Sequence, residues 1–316
     1  MAKKIKYILY LCLFVPMAWL PFRILYGISD LLYFIIYHCL HYRLEVVRNH
    51  LSSSFPEYTP DELHAVEKGF YRQLCDNIVE TVKLLHVSNR AIDRRVEVRG
   101  AGIVEQLAAT GKPIFLYLGH YCNWEWVPAI THHFNEPKIC AQIYKPLRDK
   151  PFDRLMLRVR SRFNALNIPQ NQALRTLFSL SRQGSFIVGI LDDHSPNHGR
   201  SHHYMEFLNH PGTIINVGAE EIGRRIGAKY LYLDVEKLSR GHYRMTFKPI
   251  VITDHFDDYP VSHQYMRMLE EPIRRQPPYW LWSHKRWRYT MADLQKEEDT
   301  KQASETESVV NDEKGK

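Results

Sequence analysis

Residues 114–125 read Ile-Phe-Leu-Tyr-Leu-Gly-His-Tyr-Cys-Asn-Trp-Glu, and this stretch decides the fold. Its first five residues are apolar or aromatic without interruption, which is typical of a strand buried on both faces. A Gly-His turn ends the strand pattern, and a helical pattern over roughly 123–133 follows it. In open α/β sheets, functional side chains lie where strands end and helices begin. The stretch therefore predicts a functional site at His120.

Strand and helix patterns alternate on both sides of this stretch. Further strand patterns cover residues 138–144, 186–191, 229–235 and 243–252. Helical patterns cover residues 59–85, 101–110, 151–165, 171–183, 213–227 and 260–275. The long first helix begins at a capping box, Thr59-Pro60-Asp61-Glu62, with proline at its first helical position. This alternation predicts an α/β fold in which a mostly parallel sheet is covered by helices in αβα layers.

The N-terminal region has a different composition. Lys3, Lys4 and Lys6 precede the uncharged stretch 7–22, and the apolar stretch 24–42 contains a single acid. A membrane-spanning helix needs about 20 apolar residues, and no small-residue cleavage site of a signal peptide follows the first stretch. The region is compatible with one tilted span or with a helical hairpin in the membrane interface. A buried helical pair of a soluble protein is the alternative.

Three parts of the chain follow from these patterns. Residues 1–45 are expected to be a membrane anchor, residues 46–290 an α/β domain that carries the functional site, and residues 291–316 a disordered acidic tail. The strand and helix alternation is complete without residues 1–42, so the domain is expected to fold without them. The polar, aperiodic composition of the tail is typical of disorder.

The charge and cysteine content restrict the partners and the compartment. The formal net charge is +7, which favours an anionic partner such as a phosphorylated lipid or an acidic carrier protein. Nucleic acid has only this net charge in its favour and is not expected to bind. The five cysteines are odd in number and scattered, which argues against a disulfide framework and a zinc knuckle and favours a reducing compartment.

His120 and Glu125 form a candidate base and its partner. A histidine at a strand-to-helix turn can accept a proton from a hydroxyl group if an anion holds its other ring nitrogen. Glu125 lies five residues further, near the predicted helix start. His-x4-Glu alone is a weak pattern that occurs by chance in many proteins.

The surrounding sequence makes the pattern specific. Gly119-His120-Tyr121-Cys122-Asn123-Trp124-Glu125 resembles the motif of the late lipid A acyltransferases, which belong to the His-x4-Asp/Glu glycerolipid acyltransferase superfamily. Further blocks resemble those of this family in the same order: Tyr144-Lys145-Pro146, Arg158-x-Arg160-x-Arg162-Phe163, Asp192-Asp193-His194 and Trp282-Ser283-His284-Lys285-Arg286-Trp287. The resemblance covers roughly residues 1–290. Asn164, where glycine is common, and Lys145, where arginine is usual, depart from the family pattern.

The resemblance implies an enzyme on the cytoplasmic face of the inner membrane. It would move a fatty acyl chain from an acyl thioester, acyl carrier protein ahead of coenzyme A, to a hydroxyl of a lipid A precursor or related membrane lipid, without a cofactor or a metal. The candidate catalytic residues are His120, Glu125, Arg160, Arg162 and Asp193. The candidate substrate-binding residues are Asn123, Tyr144, Lys145, Arg154, Arg158, His284 and Arg286.

The roles of the arginines and of Asp193 stay open in the sequence. Arg154, Arg158 and Arg162 are four residues apart and form one helical stripe, while Arg160 points to the opposite side. The stripe is either a solvated basic face or a surface that grips phosphates. Either Arg160 or Arg162 can stabilise the oxyanion of the reaction. Asp193 either pairs with that arginine or caps a turn.

Other functions compete with this hypothesis. The same chemistry can acylate another lipid, such as a lysophospholipid or an amino-lipid. The four histidines within residues 194–203 suggest a second hypothesis, a membrane-anchored metal-dependent hydrolase, with His120 and Asp193 as further metal ligands. A non-catalytic membrane scaffold is a third possibility. The aromatic residues Trp280, Trp282 and Trp287 are either core or the lining of an acyl channel.

Overall fold

The computed structural model describes residues 2–195, 203–252 and 258–289. Its strands are β1 (Val96–Arg99), β2 (Ile114–Leu118), β3 (Cys140–Tyr144), β4 (Leu166–Pro169), β5 (Ile187–Leu191), β6 (His203–Phe207), β7 (His210–Ile215), β8 (Lys229–Ser239) and β9 (His242–Pro249). Seven of them form one sheet in the order β1-β9-β8-β2-β5-β3-β4. The pair β8–β9 is antiparallel and every other neighbouring pair is parallel. The expected α/β fold with a mostly parallel sheet and flanking helices is confirmed.

The strand β2 lies in the interior of the sheet, between β8 and β5. All five of its side chains are buried, as its uninterrupted apolar sequence predicts. Its register with β5 pairs Leu118 with Leu191, the last residue of each strand. The loops that follow β2 and β5 therefore leave the sheet side by side.

The helices are α1 (Ala2–Trp19), α2 (Phe22–Tyr33), α3 (Leu44–Ser54), α4 (Pro60–Lys83), α5 (Asn89–Asp93), α6 (Ala101–Ala108), α7 (Lys150–Arg160), α8 (Ala173–Ser181), α9 (Gly218–Ile226) and α10 (Pro260–Arg275). A π-helical turn, Phe34–Cys39, follows α2. Short 3₁₀ segments cover Trp124–His133, Ser161–Phe163, Gln170–Gln172 and Pro277–Tyr279. The capping box is confirmed, since the Thr59 hydroxyl accepts a bond from the Glu62 amide and Glu62 accepts one from the Thr59 amide.

Several local predictions differ from the structure. The helix expected over 123–133 is a 3₁₀ segment, and Pro128 within it lacks the backbone donor that a regular α-helix uses. The strands β1 and β4, of four residues each, are too short to give a clear sequence pattern. Part of the predicted polar loop and the predicted start of helix 213–227 form the antiparallel hairpin β6–β7.

The N-terminal helices pack on the domain and also expose apolar side chains. Leu25 of α2 is fully buried, and α2 packs along α4 while α1 packs against α7. Apolar side chains that stay exposed on this region include Ile5, Ile8, Leu9, Leu13, Trp19, Ile24, Leu31, Phe34 and Leu40. No single helix among the described residues has the length and apolar composition to cross a membrane. One pair of helical segments, Phe22–Cys39 and Leu44–Ser54, meets that criterion together but is bent by 88°. The predicted acidic tail over 291–316 lies outside the described residues.

Candidate active site

The turn after β2 is tightly packed. A Cβ on Gly119 would lie 2.4 Å from Leu269 Cδ1, so the Leu269 side chain of α10 packs directly on the glycine and would have to move for any larger residue. Cys122 adopts a left-handed backbone conformation with φ of 53°, a strained conformation for a residue with a side chain. Hydrogen bonds from the Cys122 amide to the Tyr279 carbonyl, and from the Asn77 amide group to the Cys122 carbonyl, hold this turn in place.

His120 contacts Asp193 across the sheet. Each residue lies two positions beyond the last residue of its strand, β2 or β5, and those last residues are paired in register. His120 Nδ1 lies 2.6 Å from Asp193 Oδ1, and the His120 backbone amide donates to Asp193 Oδ2 over 3.0 Å. Trp280 Nε1 donates to the same Oδ2 over 2.8 Å. Of the two alternatives that the sequence leaves open for Asp193, pairing with an arginine does not match these contacts, since its oxygens bond to His120 and Trp280.

The surroundings keep Asp193 ionised. Its side chain is fully buried, and burial alone raises the pKa of a carboxyl group. The charge of His120, the hydrogen bond from it and the hydrogen bond from Trp280 outweigh burial and hold the pKa of Asp193 well below its usual range. A carboxylate on Nδ1 fixes the tautomer of His120, which leaves Nε2 as the ring atom that can accept a proton.

His194 stacks on His120 with ring centroids 3.6 Å apart and an angle of 8° between the ring planes. Burial, followed by the neighbouring charge of His120, lowers the pKa of His194 to about 2, so this ring stays neutral at neutral pH. Parallel stacked rings cannot both direct a nitrogen toward one ion, so the geometry of this pair does not support the metal-dependent hydrolase hypothesis. The loop residues His198 and His202 of that hypothesis lie outside the described residues, and His203 is the first residue of β6.

Glu125 bonds to Arg160 rather than to His120, which corrects the expected base–partner pair. Arg160 Nε donates to Glu125 Oε2 over 2.9 Å, and Arg160 Nη2 donates to the other carboxylate oxygen. Both side chains are largely shielded from solvent. Burial lowers the pKa of Arg160, but its bonds and charge interaction with Glu125 raise it overall. Sequence proximity favoured Glu125, whereas the sheet register brings Asp193 to the imidazole.

The predicted arginine stripe is interrupted at its end. Arg154 and Arg158 are exposed on α7, and Arg160 points to the opposite side as predicted. The α-helix ends at Arg160, so Arg162 lies on a 3₁₀ turn and donates to the Leu84 carbonyl. Arg154 lies over the Tyr7 ring, 4.4 Å from its centroid. Arg160 is thus the arginine tied to the motif segment, which separates it from Arg162.

The predicted substrate-binding residues of the central blocks differ in exposure. Asn123 is buried and donates from Nδ2 to Glu80 Oε2 over 2.7 Å, so it connects the turn after β2 to helix α4. Tyr144 is half-buried at the end of β3, and Lys145 is exposed beside it. Burial, followed by the negative charge of Asp153, raises the pKa of Tyr144. Asn123 therefore has a structural contact that the motif alone did not predict.

The residues of the C-terminal block lie mainly in the protein interior. Arg286 is buried and donates to the Ile214 carbonyl over 2.6 Å, and burial lowers its pKa to about 10. His284 lies beside His194, with ring centroids 3.8 Å apart, and burial lowers its pKa to about 4. Trp280 is the functional residue whose contact the sequence did not predict. The only signal for it was its place in an aromatic segment.

An apolar cavity lies between the sheet and the 3₁₀ segment Trp124–His133, and one of its wall residues, Trp124, contacts His120. The empty space along its walls is about 520 Å³ when the part that is open solvent is included. Its walls are formed by strand residues and by the 3₁₀ segment, among them Leu116, Leu118, Val127, Ile130, Gly189 and Leu191. Trp124 lines the cavity and also contacts the His120 ring edge to face at 5.0 Å. The histidine thus lies next to a space that suits a hydrocarbon chain.

Comparison with known proteins gives the family. No curated protein matches the chain significantly. The family described as Bacterial lipid A biosynthesis acyltransferase matches residues 2–289, which is nearly the whole chain. The chain therefore belongs to the bacterial lipid A biosynthesis acyltransferase family and is an acyltransferase of lipid A synthesis.

Proposed function

We propose that this enzyme transfers a fatty acyl chain from an acyl thioester to a hydroxyl of a lipid A precursor at the cytoplasmic face of the inner membrane. Acyl carrier protein is the proposed donor ahead of coenzyme A. The observation that carries the proposal is the 2.6 Å contact of His120 with buried Asp193, next to an apolar cavity.

The proton transfers follow from the two ring nitrogens of His120. Nε2 takes the proton of the acceptor hydroxyl as its oxygen attacks the thioester carbonyl, and Asp193 stabilises the imidazolium that forms. The tetrahedral intermediate then collapses, the carbon–sulfur bond breaks, and the imidazolium returns its proton to the thiolate. An ester and a free thiol result, and His120 is again neutral.

Arg160 is the proposed source of positive charge for this reaction. Its guanidinium is held by two bonds to Glu125, so its position is fixed before substrate binds. A preorganised cation in a partly water-excluded site can stabilise the developing oxyanion or a substrate phosphate. Glu125 then acts through Arg160, as a positioning residue.

The apolar cavity is the proposed site of the acyl chain, and Gly189 forms part of its wall. A Cβ at Gly189 would lie 3.9 Å from Leu118 Cδ2 and 3.9 Å from the Ala141 carbonyl, which are ordinary contact distances. The position therefore accepts a Cβ, and the rest of the leucine side chain in Gly189→Leu is expected to occupy part of the cavity that Gly189 lines, with thermal denaturation as the check on folding. We expect kcat/KM for long acyl thioesters to fall by about tenfold or more relative to short ones, because a loss of about 1.4 kcal/mol of binding gives that ratio.

The measurement is a competition between donors of different chain length, with products separated by mass spectrometry. Gly102→Leu is the matched control, since Gly102 is exposed on α6 and has no neighbour within 4 Å of an added Cβ. If Gly189→Leu used donors of every chain length in the same proportions as wild type, the cavity would not be the acyl-binding site.

The exposed arginines of α7 form the proposed surface for an acidic donor or a phosphorylated acceptor. Arg158→Glu is expected to raise KM more than it lowers kcat, because exposed charge contacts support binding and act over about 10 Å at 0.1 M salt. Added salt should reduce the difference between variant and wild type. Steady-state kinetics at several salt concentrations measures this, with Arg175→Glu on α8 as a charge-matched control. A loss confined to kcat would instead assign Arg158 to the transition state.

The exposed apolar side chains of the N-terminal helices are proposed to insert into one membrane leaflet. Lys3, Lys4 and Arg23, which are exposed on the same region, suit anionic headgroups. The proposal therefore places the enzyme on the inner membrane without requiring a span.

The function is tested with purified enzyme, acyl carrier protein thioester and a lipid A precursor in mixed micelles. Mass spectrometry should detect a precursor heavier by one acyl group. A lysophospholipid acceptor and acyl coenzyme A are tested in parallel. Exclusive acylation of the lysophospholipid would make that lipid the acceptor instead of the lipid A precursor. Transfer to neither lipid would overturn the proposal.

A further inference from the structure

Asp93, His132 and His133 form a compact cluster on the surface. Asp93 Oδ1 lies 2.7 Å from His132 Nε2 and 3.2 Å from His133 Nε2, and all three donor atoms lie within 4.8 Å of one another. The two imidazole rings have centroids 4.4 Å apart and are tilted by 35°. One carboxylate oxygen thus faces two imidazole nitrogens. This cluster has no part in the proposed transfer reaction.

We propose that this cluster binds a divalent transition-metal ion, with Zn²⁺ as the best match. Two imidazoles and one carboxylate are ligands that zinc prefers, and three protein ligands with water in the remaining position are a common arrangement. Zinc–ligand bonds of about 2.0–2.1 Å in tetrahedral geometry separate donor atoms by roughly 3.3 Å. The Asp93–His133 separation of 3.2 Å is close to this value, whereas the Asp93–His132 separation of 2.7 Å is shorter, so the His132 side chain has to rotate away from Asp93 to admit an ion.

The backbone on both sides of the cluster is anchored in the core. Ile92, which precedes Asp93, is fully buried, and Ile130 and Phe134 are buried on either side of the two histidines. The ligand side chains remain between 29% and 44% exposed, so an ion can enter from solvent. The Arg95 guanidinium lies 3.5 Å from the centroid of the Phe22 ring and donates to the Gly241 carbonyl. The partners of the Arg95 guanidinium are thus Phe22 and Gly241, which are not ligands of the cluster.

The position of the cluster gives the ion a structural consequence. Asp93 ends α5, and His132 and His133 end the 3₁₀ segment that forms one wall of the apolar cavity. An ion held by all three residues ties these two elements together. Because the ion binds only the folded arrangement, it is expected to stabilise the fold by mass action.

The test uses the full chain purified in detergent, stripped of metal with a chelator and titrated with Zn²⁺. The chain has 17 histidines, so the comparison is between variants. Wild type is expected to bind one more tight Zn²⁺ ion per chain than His132→Ala/His133→Ala. Asp93→Asn, which keeps both histidines, should weaken that ion by at least about tenfold, because even residues that only support a ligand cost 10–100-fold in metal affinity.

His64→Ala is the matched control, since His64 is also exposed and lies 3.6 Å from Glu67 but belongs to no cluster of three potential metal ligands among the described residues. It should bind zinc as wild type does and show the same rise in melting temperature with Zn²⁺. X-ray absorption at the zinc edge should show imidazole ligands in wild type that the double variant lacks. Equal zinc affinity and stoichiometry in wild type and the double variant would overturn the proposal and leave the cluster as a hydrogen-bonded ion pair.

Discussion

Replacement of His120 by alanine is expected to abolish acyl transfer while the protein remains folded. A hydroxyl group is a weak nucleophile near neutral pH, and general-base catalysis contributes about 10²–10⁴-fold. The His120 side chain is 15% exposed, and its ring bonds to Asp193. In the alanine variant, the backbone amide of residue 120 and Trp280 can still donate to Asp193. The transfer rate with thioester donor and lipid acceptor is the measurement, and thermal denaturation checks the fold. Retention of more than about a tenth of the activity would exclude His120 as the base.

The choice between Asp193 and Glu125 as the partner of His120 is decided by a pair of amide substitutions. In Asp193→Asn, the side-chain oxygen can still accept from the His120 amide and from Trp280, which leaves the NH₂ group facing Nδ1. Nδ1 must then accept, so the ring proton moves to Nε2, where it blocks removal of the hydroxyl proton. In Ser-His-Asp enzymes the same change lowers kcat by about 10⁴-fold.

Glu125→Gln is expected to cost much less than Asp193→Asn. The amide can still bond to Arg160, and the His120–Asp193 contact is untouched. Comparison of kcat for both variants, together with its pH profile, gives the answer. If Glu125→Gln were the more damaging change and Asp193→Asn kept near wild-type activity, Glu125 would be the partner that the motif first suggested.

The sequence predicted the position of the site better than the contacts inside it. The strand at 114–118 and the turn at His120 follow from local patterns, because a buried strand and a turn each leave a signature within a few residues. The bond between His120 and Asp193 depends on the parallel pairing of β2 with β5, which are separated by about 70 residues. No local pattern encodes that pairing. The motif therefore favoured the sequence neighbour, Glu125.

The same limit explains the parts of the fold that were missed. The hairpin β6–β7 lies in a stretch whose polar and apolar residues do not alternate cleanly, and β1 and β4 have four residues each. Their strand conformation depends on pairing with neighbours, which local propensity cannot supply. The contacts of the N-terminal helices were missed because their apolar sequence fits a membrane and a protein core equally well.

The N-terminal segment is bound to the domain by buried hydrogen bonds, so we now expect its removal to destabilise the fold. Three buried acids of α4 have partners in this segment: Tyr26 donates to Glu80, Ser29 to Asp76 and Tyr37 to Glu67. Lys83 of α4 also donates to two backbone carbonyls of the segment.

Deletion of residues 2–42 removes all of these partners at once. The three acids keep other partners, Arg48 for Glu67, Arg240 for Asp76 and Asn123 for Glu80. Each lost hydrogen bond nevertheless removes about 0.5–1.5 kcal/mol, and the apolar surface of α4 is exposed in addition. Those losses are comparable to the total stability of a typical domain, about 5–15 kcal/mol. The truncated chain is therefore expected to aggregate or to lose its cooperative unfolding transition, contrary to the expectation from the sequence alone.

Two neighbouring residues of α2 separate this structural role from membrane binding. Leu25 is fully buried, whereas Ile24 is 51% exposed. Leu25→Ala is expected to lower the free energy of unfolding by about 2–5 kcal/mol, because it leaves a cavity in the packed interface. Ile24→Ala should change stability little but should weaken sedimentation with anionic vesicles, because it removes exposed apolar area that we propose inserts into the leaflet. Denaturant unfolding in detergent and vesicle sedimentation measure the two effects. A truncated chain with the same unfolding midpoint as wild type would instead make residues 2–42 an anchor independent of the domain.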